Sequence, residues 1–139
     1  MPESTIEEKK LRVVAVDDSK PMLDMIVKLL TPHFEVVGIA TDGNAAEELI
    51  KLLKPDIAVL DISMPFKSGI DVAADLKKSG LDVKVVIVTA QYNDFSQRAA
   101  FTAGATAYVS KLRLADELVI AVESVYSGRE FISKPRFSF

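Results

Sequence analysis

The chain alternates five times between short apolar segments and longer amphipathic ones. The apolar segments are rich in β-branched residues and have the length of strands; they are Leu11–Val16, Phe34–Ile39, Asp56–Leu60, Val83–Val88 and Thr106–Val109. The amphipathic stretches have the spacing typical of helices and begin near Lys20, Asn44, Ile70, Asp94 and Arg113. The pattern therefore predicts an α/β domain of five strand–helix units, (βα)5.

The predicted helices begin and end at residues that favour helix termini. Ser19 can cap the first helix, and Pro21 falls in its first turn, where a missing N–H is no loss. The predicted helix ends carry proline or glycine signals, at Thr31-Pro32, Lys54-Pro55, Gly80, Gly104 and Gly128. Alternating strands and helices predict a parallel sheet covered on both faces, with its functional crevice beyond the carboxyl ends of the strands.

Composition narrows the class of protein. The 139 residues suffice for one domain, and the 49% hydrophobic and 27% charged residues fit a globular chain. Cysteine is absent, so disulfide and thiol chemistry are excluded. A net charge of −3 argues against nucleic-acid binding by this chain itself. The N-terminus does not resemble a signal peptide and no apolar run has the length of a membrane span, so we expect a cytoplasmic protein with no membrane partner.

Polar residues follow four of the predicted strands. Asp17 and Asp18 come after the first strand, Asp61 after the third, Thr89 after the fourth, and Ser110-Lys111 after the fifth. Because the carboxyl ends of parallel strands meet at one edge of the sheet, these side chains are predicted to face one pocket. A lone aspartate after a strand is usually a turn or cap residue, but the joint placement favours chemistry.

Three carboxylates in one pocket repel one another. At about 5 Å and an effective dielectric near 20, each pair costs about 3 kcal/mol, so we expect a cation there. An oxygen-only ligand set favours a hard ion such as Mg²⁺. With Mg²⁺ bound and Lys111 pairing a phosphoryl oxygen, an aspartate can attack a phosphoryl donor, and Thr89 can donate a hydrogen bond to the transferred group.

Four motifs, taken in order, resemble those of the receiver domain of two-component response regulators. They are Val13–Ser19 (VVAVDDS), Leu60–Gly69 (LDISMPFKSG), Val86–Ala90 (VIVTA) and Ala107–Lys111 (AYVSK), within a resemblance that runs from residue 11 to 128. The resemblance implies a doubly wound parallel five-stranded sheet of flavodoxin-like topology, with strand order 2-1-3-4-5.

The resemblance also implies a role for each site residue. Asp61 would accept a phosphoryl group from a sensor histidine kinase, with Mg²⁺ as cofactor. The protein would be a phosphoacceptor that assists its own phosphorylation and dephosphorylation, and not an enzyme. The remaining roles are Asp18 as direct metal ligand, Asp17 as ligand mainly through water, Ser63 as ligand through its backbone carbonyl, Thr89 and Tyr108 as the switch pair, and Lys111 as the phosphoryl-binding lysine.

The segments 61–73 and 117–133 look most like the NarL/FixJ subfamily, whose members usually carry a C-terminal DNA-binding domain of the LuxR type. One departure is Leu112, where many receivers have proline after the lysine. We expect a tail at 1–10, a receiver domain at 11–128 and a linker stub or tail at 129–139. Too few residues follow 128 for a helix-turn-helix, so DNA would be bound only through a missing domain. The alternative is a stand-alone receiver or phosphorelay intermediate that acts through protein contacts.

Two other classes fit less well. A haloacid dehalogenase phosphatase would need an Asp-x-Asp motif after the first strand, where Asp17-Asp18 stands. A flavodoxin-like cofactor carrier would need a phosphate-binding loop there, and the segment is acidic instead.

The fifth helix predicts a self-association surface. Its core stripe is formed at 100° steps by Leu114, Leu118, Ala121, Val122 and Val125. Ala115, Val119 and Tyr126 widen this stripe beyond what core packing requires. Either the first helix covers the excess, or Val119 and Tyr126 stay exposed and form a homodimer contact.

Overall fold

A computed structural model of the chain describes residues 10–133. Within that range six strands form one sheet: β1 (Arg12–Val16), β2 (Glu35–Ala40), β3 (Ile57–Asp61), β4 (Lys84–Thr89), β5 (Ala105–Ser110) and β6 (Phe131–Ile132). The helices are α1 (Lys20–Leu30), α2 (Gly43–Leu53), α3 (Gly69–Lys78), α4 (Asp94–Thr102) and α5 (Leu114–Tyr126), the last preceded by a 3₁₀ turn at Lys111–Arg113.

The strands are all parallel and lie in the order β2-β1-β3-β4-β5-β6. The predicted order 2-1-3-4-5 is confirmed, and β6 extends the sheet beyond β5. Every residue of the central strand β3 is buried, as a parallel strand covered on both faces requires. The strand order reverses beside β1 and β3, so the crevice expected at a topological switch point lies at their carboxyl ends.

The predicted helix boundaries are confirmed at most positions. Ser19 Oγ accepts a hydrogen bond from Met22 N at 3.4 Å, which caps α1. The three glycines just beyond helix ends have left-handed φ angles, which L side chains adopt only with strain: Gly80 (72°), Gly104 (113°) and Gly128 (89°).

Each face of the sheet buries its own apolar cluster. Alternate residues of β1 point to opposite faces, so Val13 and Ala15 join the apolar cluster that includes residues of α1 and α5, while Val14 and Val16 join the cluster that includes residues of α2, α3 and α4. The core stripe predicted on α5 is confirmed, because its five residues are at most 3% exposed. None of the described helices combines the length and the apolar composition that a membrane crossing demands.

The sequence left open whether the first helix covers the widened stripe of α5. The structure gives a different answer for each residue, because Val119 is half-buried against the apolar cluster that α1 and α5 share, whereas Tyr126 is 58% exposed. Residues 131–133, assigned to a linker stub or tail, pack on the sheet: Phe131 contacts the same apolar cluster, and Ser133 is fully buried.

Candidate functional site

The carboxyl ends of β1, β3, β4 and β5 meet at one edge of the sheet, and each presents a polar side chain. Asp17 and Asp18 follow β1, and Asp61 is the last residue of β3. Thr89 is the last residue of β4, and Lys111 directly follows β5. The parallel pairing of the strands aligns these ends, so local sequence and sheet register together create the site.

The three aspartates form a tight acidic cluster. One carboxylate oxygen from each of Asp17, Asp18 and Asp61 lies within 4.8 Å of the other two. Asp17 and Asp61 are buried, and Asp18 is exposed. Lys111 Nζ lies 2.7 Å from Asp17 Oδ2 and 3.3 Å from Asp61 Oδ1. Within residues 10–133, Lys111 thus pairs with two of the three clustered carboxylates, and the pocket keeps an excess of negative charge.

The environment of Asp61 changes its acidity. The pKa of its carboxyl is raised from 3.8 to about 6, first by burial and then by the charge of Asp17, while Lys111 acts in the opposite direction. Burial lowers the pKa of Lys111, but the neighbouring Asp17 and Asp61 outweigh burial, so the net direction is upward. Asp61 is therefore ionised at neutral pH and more basic than an ordinary aspartate, while Lys111 stays charged. This combination suits a carboxylate nucleophile beside a cationic stabiliser.

Asp17 is fixed in the pocket by its own backbone turn. Its Oδ1 accepts a hydrogen bond from Ser19 N at 2.9 Å. Its buried Oδ2 has no hydrogen bond within residues 10–133, and the ammonium of Lys111 balances its negative charge. A buried carboxylate oxygen whose one described partner is an ammonium, next to two further carboxylates, suits a hard divalent cation with part of its water shell. Asp17, Asp18 and Asp61 are the side chains that would hold it.

The loop from residue 62 to 68 folds tightly against the end of β3. Gly69 N donates to Ile62 O at 3.0 Å. A Cβ on Gly69 would lie 2.1 Å from the Asp61 carbonyl oxygen, so only glycine fits at this approach. Ser63, the predicted carbonyl ligand, lies exposed on this loop two residues after Asp61. The loop geometry thus sets the position of both Asp61 and Ser63.

Thr89 and Tyr108 are bonded to the same residue of the loop after β4. Thr89 Oγ1 donates to Gln91 O at 3.1 Å and accepts from Gln91 N at 3.0 Å. The Tyr108 hydroxyl donates to Gln91 O at 2.9 Å, and the Tyr108 side chain is fully buried. Tyr108 therefore lies inside the protein while Thr89 is bonded to Gln91.

Three residues near the site were missed from the sequence. Gln91 accepts hydrogen bonds from both members of the switch pair, Tyr92 packs edge-on against Tyr108 with ring centroids 5.7 Å apart, and Ser133 is buried beside β5. Gln91 and Tyr92 lie directly after the VIVTA motif, so their position is a usable signal. Ser133 has no sequence signal, because its burial depends on tertiary contacts alone.

Comparisons with known proteins agree with this geometry. The family model described as "Response regulator receiver domain" matches residues 13–123. The transcriptional regulatory protein DegU of Brevibacillus brevis is 32% identical over 129 residues, which are 91% of this chain and 55% of DegU. The probable transcriptional regulatory protein NarL of Mycobacterium tuberculosis is 34% identical over 132 residues, which are 94% of this chain and 61% of NarL. The chain thus spans little more than half the length of these relatives.

Solved structures show the same fold. The receiver domain of the putative response regulator NarL from Mycobacterium tuberculosis is 35% identical with a TM-score of 0.85, covering 88% of this chain and 100% of that one. The isolated receiver domain of RcsB from Salmonella enterica, solved with the phosphomimetic BeF₃⁻, has a TM-score of 0.82 at 22% identity, covering 91% of this chain and 95% of that one, and supports the fold alone. Receiver domains are phosphoacceptors. The chain belongs to the response regulator receiver domains of two-component systems, in their NarL/FixJ group.

Proposed function

We propose that Asp61 accepts a phosphoryl group from a sensor histidine kinase in a Mg²⁺-dependent reaction. The observation that carries this proposal is the position of Asp61 inside the acidic cluster, with Lys111 Nζ 3.3 Å from its Oδ1. Asp61 is the buried carboxylate at the end of the central strand, and its raised pKa of about 6 leaves it ionised and basic at neutral pH.

In the proposed reaction, a carboxylate oxygen of Asp61 forms the new bond to phosphorus. The bond from phosphorus to the donor nitrogen breaks, and its electron pair leaves with the kinase histidine. Lys111 stabilises the negative charge on the transferred group because its ammonium is already held at the pocket by two carboxylates. In the later hydrolysis, water attacks phosphorus, the bond from phosphorus to the Asp61 oxygen breaks, and inorganic phosphate leaves; the chain thus assists both its phosphorylation and its dephosphorylation in this proposal.

Mg²⁺, when bound, neutralises phosphoryl oxygens and lowers the repulsion between donor and pocket. We assign Asp18 as a direct ligand, because within the described part of the chain its exposed carboxylate has no hydrogen bond or ion pair. We assign Asp17 a role mainly through water, since its Oδ1 accepts a hydrogen bond from Ser19 N and its Oδ2 is paired with Lys111. The backbone carbonyl of Ser63 completes the protein ligands.

The proposed output is control of transcription. Thr89 donates to the transferred group, and with Tyr108 it alters the surface formed by α4, β5 and α5. The relatives DegU and NarL bear the names of transcriptional regulatory proteins, which supports a LuxR-type DNA-binding domain acting with this receiver in a longer protein. The division into a tail at 1–10, a receiver at 11–128 and a linker at 129–139, and a cytoplasmic location, stay predictions of the sequence.

A homodimer is part of the same proposal. Tyr126, at the end of α5, is 58% exposed and can contact a second copy of the chain. Val119, the other residue of the predicted contact, is half-buried. Two receivers joined through α5 would bring two DNA-binding domains together.

The test uses acetyl phosphate as a small phosphoryl donor. Incubation with Mg²⁺ should add one phosphoryl group by intact-mass spectrometry, and a chelator should prevent the addition. Asp61→Asn should remain unmodified, while Asp24→Asn, an exposed aspartate of α1, should behave as the wild type. Undiminished modification of Asp61→Asn would overturn the assignment.

A further inference from the structure

The outer edge of β5 is occupied by the chain's own C-terminal segment. β6 pairs with β5 in parallel register, with Ala107 opposite Phe131 and Tyr108 opposite Ile132. This edge is flanked by α4 and α5, so β6 lies on the surface through which we propose the signal leaves. Without β6, the buried residues at the end of β5 would present unpaired backbone groups.

Ser133 fixes this segment through all of its polar groups. Its N–H donates to Tyr108 O at 2.9 Å, and its Oγ accepts from Ser110 N at 2.9 Å. The same hydroxyl donates to the carboxylate of Glu117 on α5, and the carbonyl oxygen of Ser133 accepts from the Tyr92 hydroxyl. Ser133 is fully buried, so β5, α5 and the loop after β4 together form a niche shaped for a serine.

This niche is connected to the switch pair by direct contacts. Tyr92, which holds the Ser133 carbonyl, packs edge-on against Tyr108. Its neighbour Gln91 is held by the Tyr108 hydroxyl and by two hydrogen bonds with Thr89. Among the described residues, Thr89 thus takes part in two of the three hydrogen bonds made by the Gln91 backbone, and Tyr92 follows Gln91 directly in the chain.

We propose that residues 129–133 form a C-terminal latch on β5 and that Thr89 controls its release. The inference rests on the proposed function of Asp61. When the Thr89 hydroxyl turns to a phosphoryl group on Asp61, it gives up both hydrogen bonds with Gln91. The loop then loses most of its attachment, Tyr92 no longer holds the Ser133 carbonyl, and the C-terminal latch leaves the β5 edge.

Hydrogen exchange of the backbone amides, measured by mass spectrometry on the whole chain, tests the release. Adding Mg²⁺ and beryllofluoride, a phosphoryl mimic, to the wild type should raise exchange at residues 131–133 roughly fivefold, the effect of losing one ordinary hydrogen bond. Exchange in α2, which packs against β1, β2 and α3, should not change. Unchanged or slower exchange at 131–133 would overturn the proposal.

Three variants separate the C-terminal latch from the chemistry at Asp61. In the Thr89→Ala variant, the amides of residues 131–133 should exchange faster than in the wild type even without the mimic. Adding the mimic should then raise their exchange rate by less than about twofold. Tyr92→Phe should also exchange faster, because it lacks the hydroxyl that holds Ser133, whereas the matched control Tyr126→Phe should equal the wild type. Wild-type exchange in Thr89→Ala and Tyr92→Phe would overturn the proposal.

The outcomes distinguish this inference from the proposed function. If acetyl phosphate leaves Asp61 unmodified, the proposed function fails. Exchange in Thr89→Ala and Tyr92→Phe then still decides whether Thr89 and Tyr92 hold the C-terminal latch. If Asp61 is modified and exchange at 131–133 is unchanged, only the latch fails. Protection that rises with protein concentration would show that the segment pairs with a second copy, which contradicts a contact within one chain.

Discussion

Asp61→Asn should stabilise the metal-free protein, because it removes a buried negative charge that destabilises the folded state. The pKa of Asp61 is raised from 3.8 to about 6, and one pKa unit corresponds to about 1.4 kcal/mol. The ionised carboxylate therefore destabilises the folded state by about 3 kcal/mol at neutral pH. Asparagine has nearly the same shape and no charge, so the free energy of unfolding should rise by about that amount.

The pH dependence has a definite sign. Because the folded-state pKa of about 6 lies above the ordinary 3.8, the folded protein binds more protons than the unfolded chain between these values. The contribution of Asp61 to stability therefore falls as pH rises through this window. The advantage of Asp61→Asn should be near zero below the lower pKa and should reach its full size above the higher one.

Thermal or urea unfolding with a chelator present measures the difference. For a domain of this size, about 3 kcal/mol corresponds to a rise of about 10 °C in Tm. The control Asp24→Asn removes an exposed charge paired with Lys20 at 2.6 Å and should change stability by less than about 1 kcal/mol. Mg²⁺ should then stabilise the wild type but not Asp61→Asn. Equal stability of Asp61→Asn and wild type at neutral pH, or a gain that does not change with pH, would refute the reasoning.

Three further predictions concern the metal, the loop and the dimer. In Mg²⁺ titrations, Asp18→Ala should weaken binding more than Asp17→Ala, whose loss should stay within the roughly 10- to 100-fold typical of indirect partners; equal losses would contradict the ligand order. Gly69→Ala should destabilise the protein by about 1–3 kcal/mol and slow phosphorylation, because its Cβ meets the last carbonyl of β3 at 2.1 Å. The control Gly80→Ala meets no neighbouring atom and is strained only by its φ of 72°. It should destabilise the protein by about 1–2 kcal/mol and leave the phosphorylation rate unchanged. Slower phosphorylation in both variants would show that the rate follows stability and not the position of the loop. Tyr126→Glu should weaken self-association of the phosphorylated chain in sedimentation while phosphorylation continues, and a wild type that stays monomeric at high concentration in both states would exclude this dimer.

The sequence contains enough information for the sheet and for the acidic cluster. Apolar runs with β-branched residues mark β1 to β5, and the parallel arrangement follows from the helices between them. Once the strands are parallel, Asp17, Asp61 and Lys111 must share one edge. The helix ends at Gly80 and Gly104 could also be predicted from the sequence. Both residues have a left-handed φ, which glycine adopts without strain, so the residue type alone marks the position.

The features that the sequence does not reveal depend on tertiary contacts. β6 is two residues long, too short for a periodic pattern, and Ser133 is held by groups from β5, α5 and the loop after β4. The orientation of Tyr108 depends on whether Gln91 offers its carbonyl, which no pattern encodes. Val119 is half-buried against the apolar cluster that α1 and α5 share, and an angular plot of α5 alone cannot show which neighbour covers it.

The most direct test of the central claim locates the phosphoryl group on the chain. After reaction with acetyl phosphate and Mg²⁺, borohydride reduces an aspartyl phosphate to homoserine, and tandem mass spectrometry of the digested protein identifies the residue. We predict homoserine at position 61, with none at positions 17 and 18, because Asp61 ends the central strand within the acidic cluster and its pKa is raised to about 6. Homoserine at Asp17 or Asp18, or a borohydride-resistant phosphate on a serine or threonine, would contradict the account.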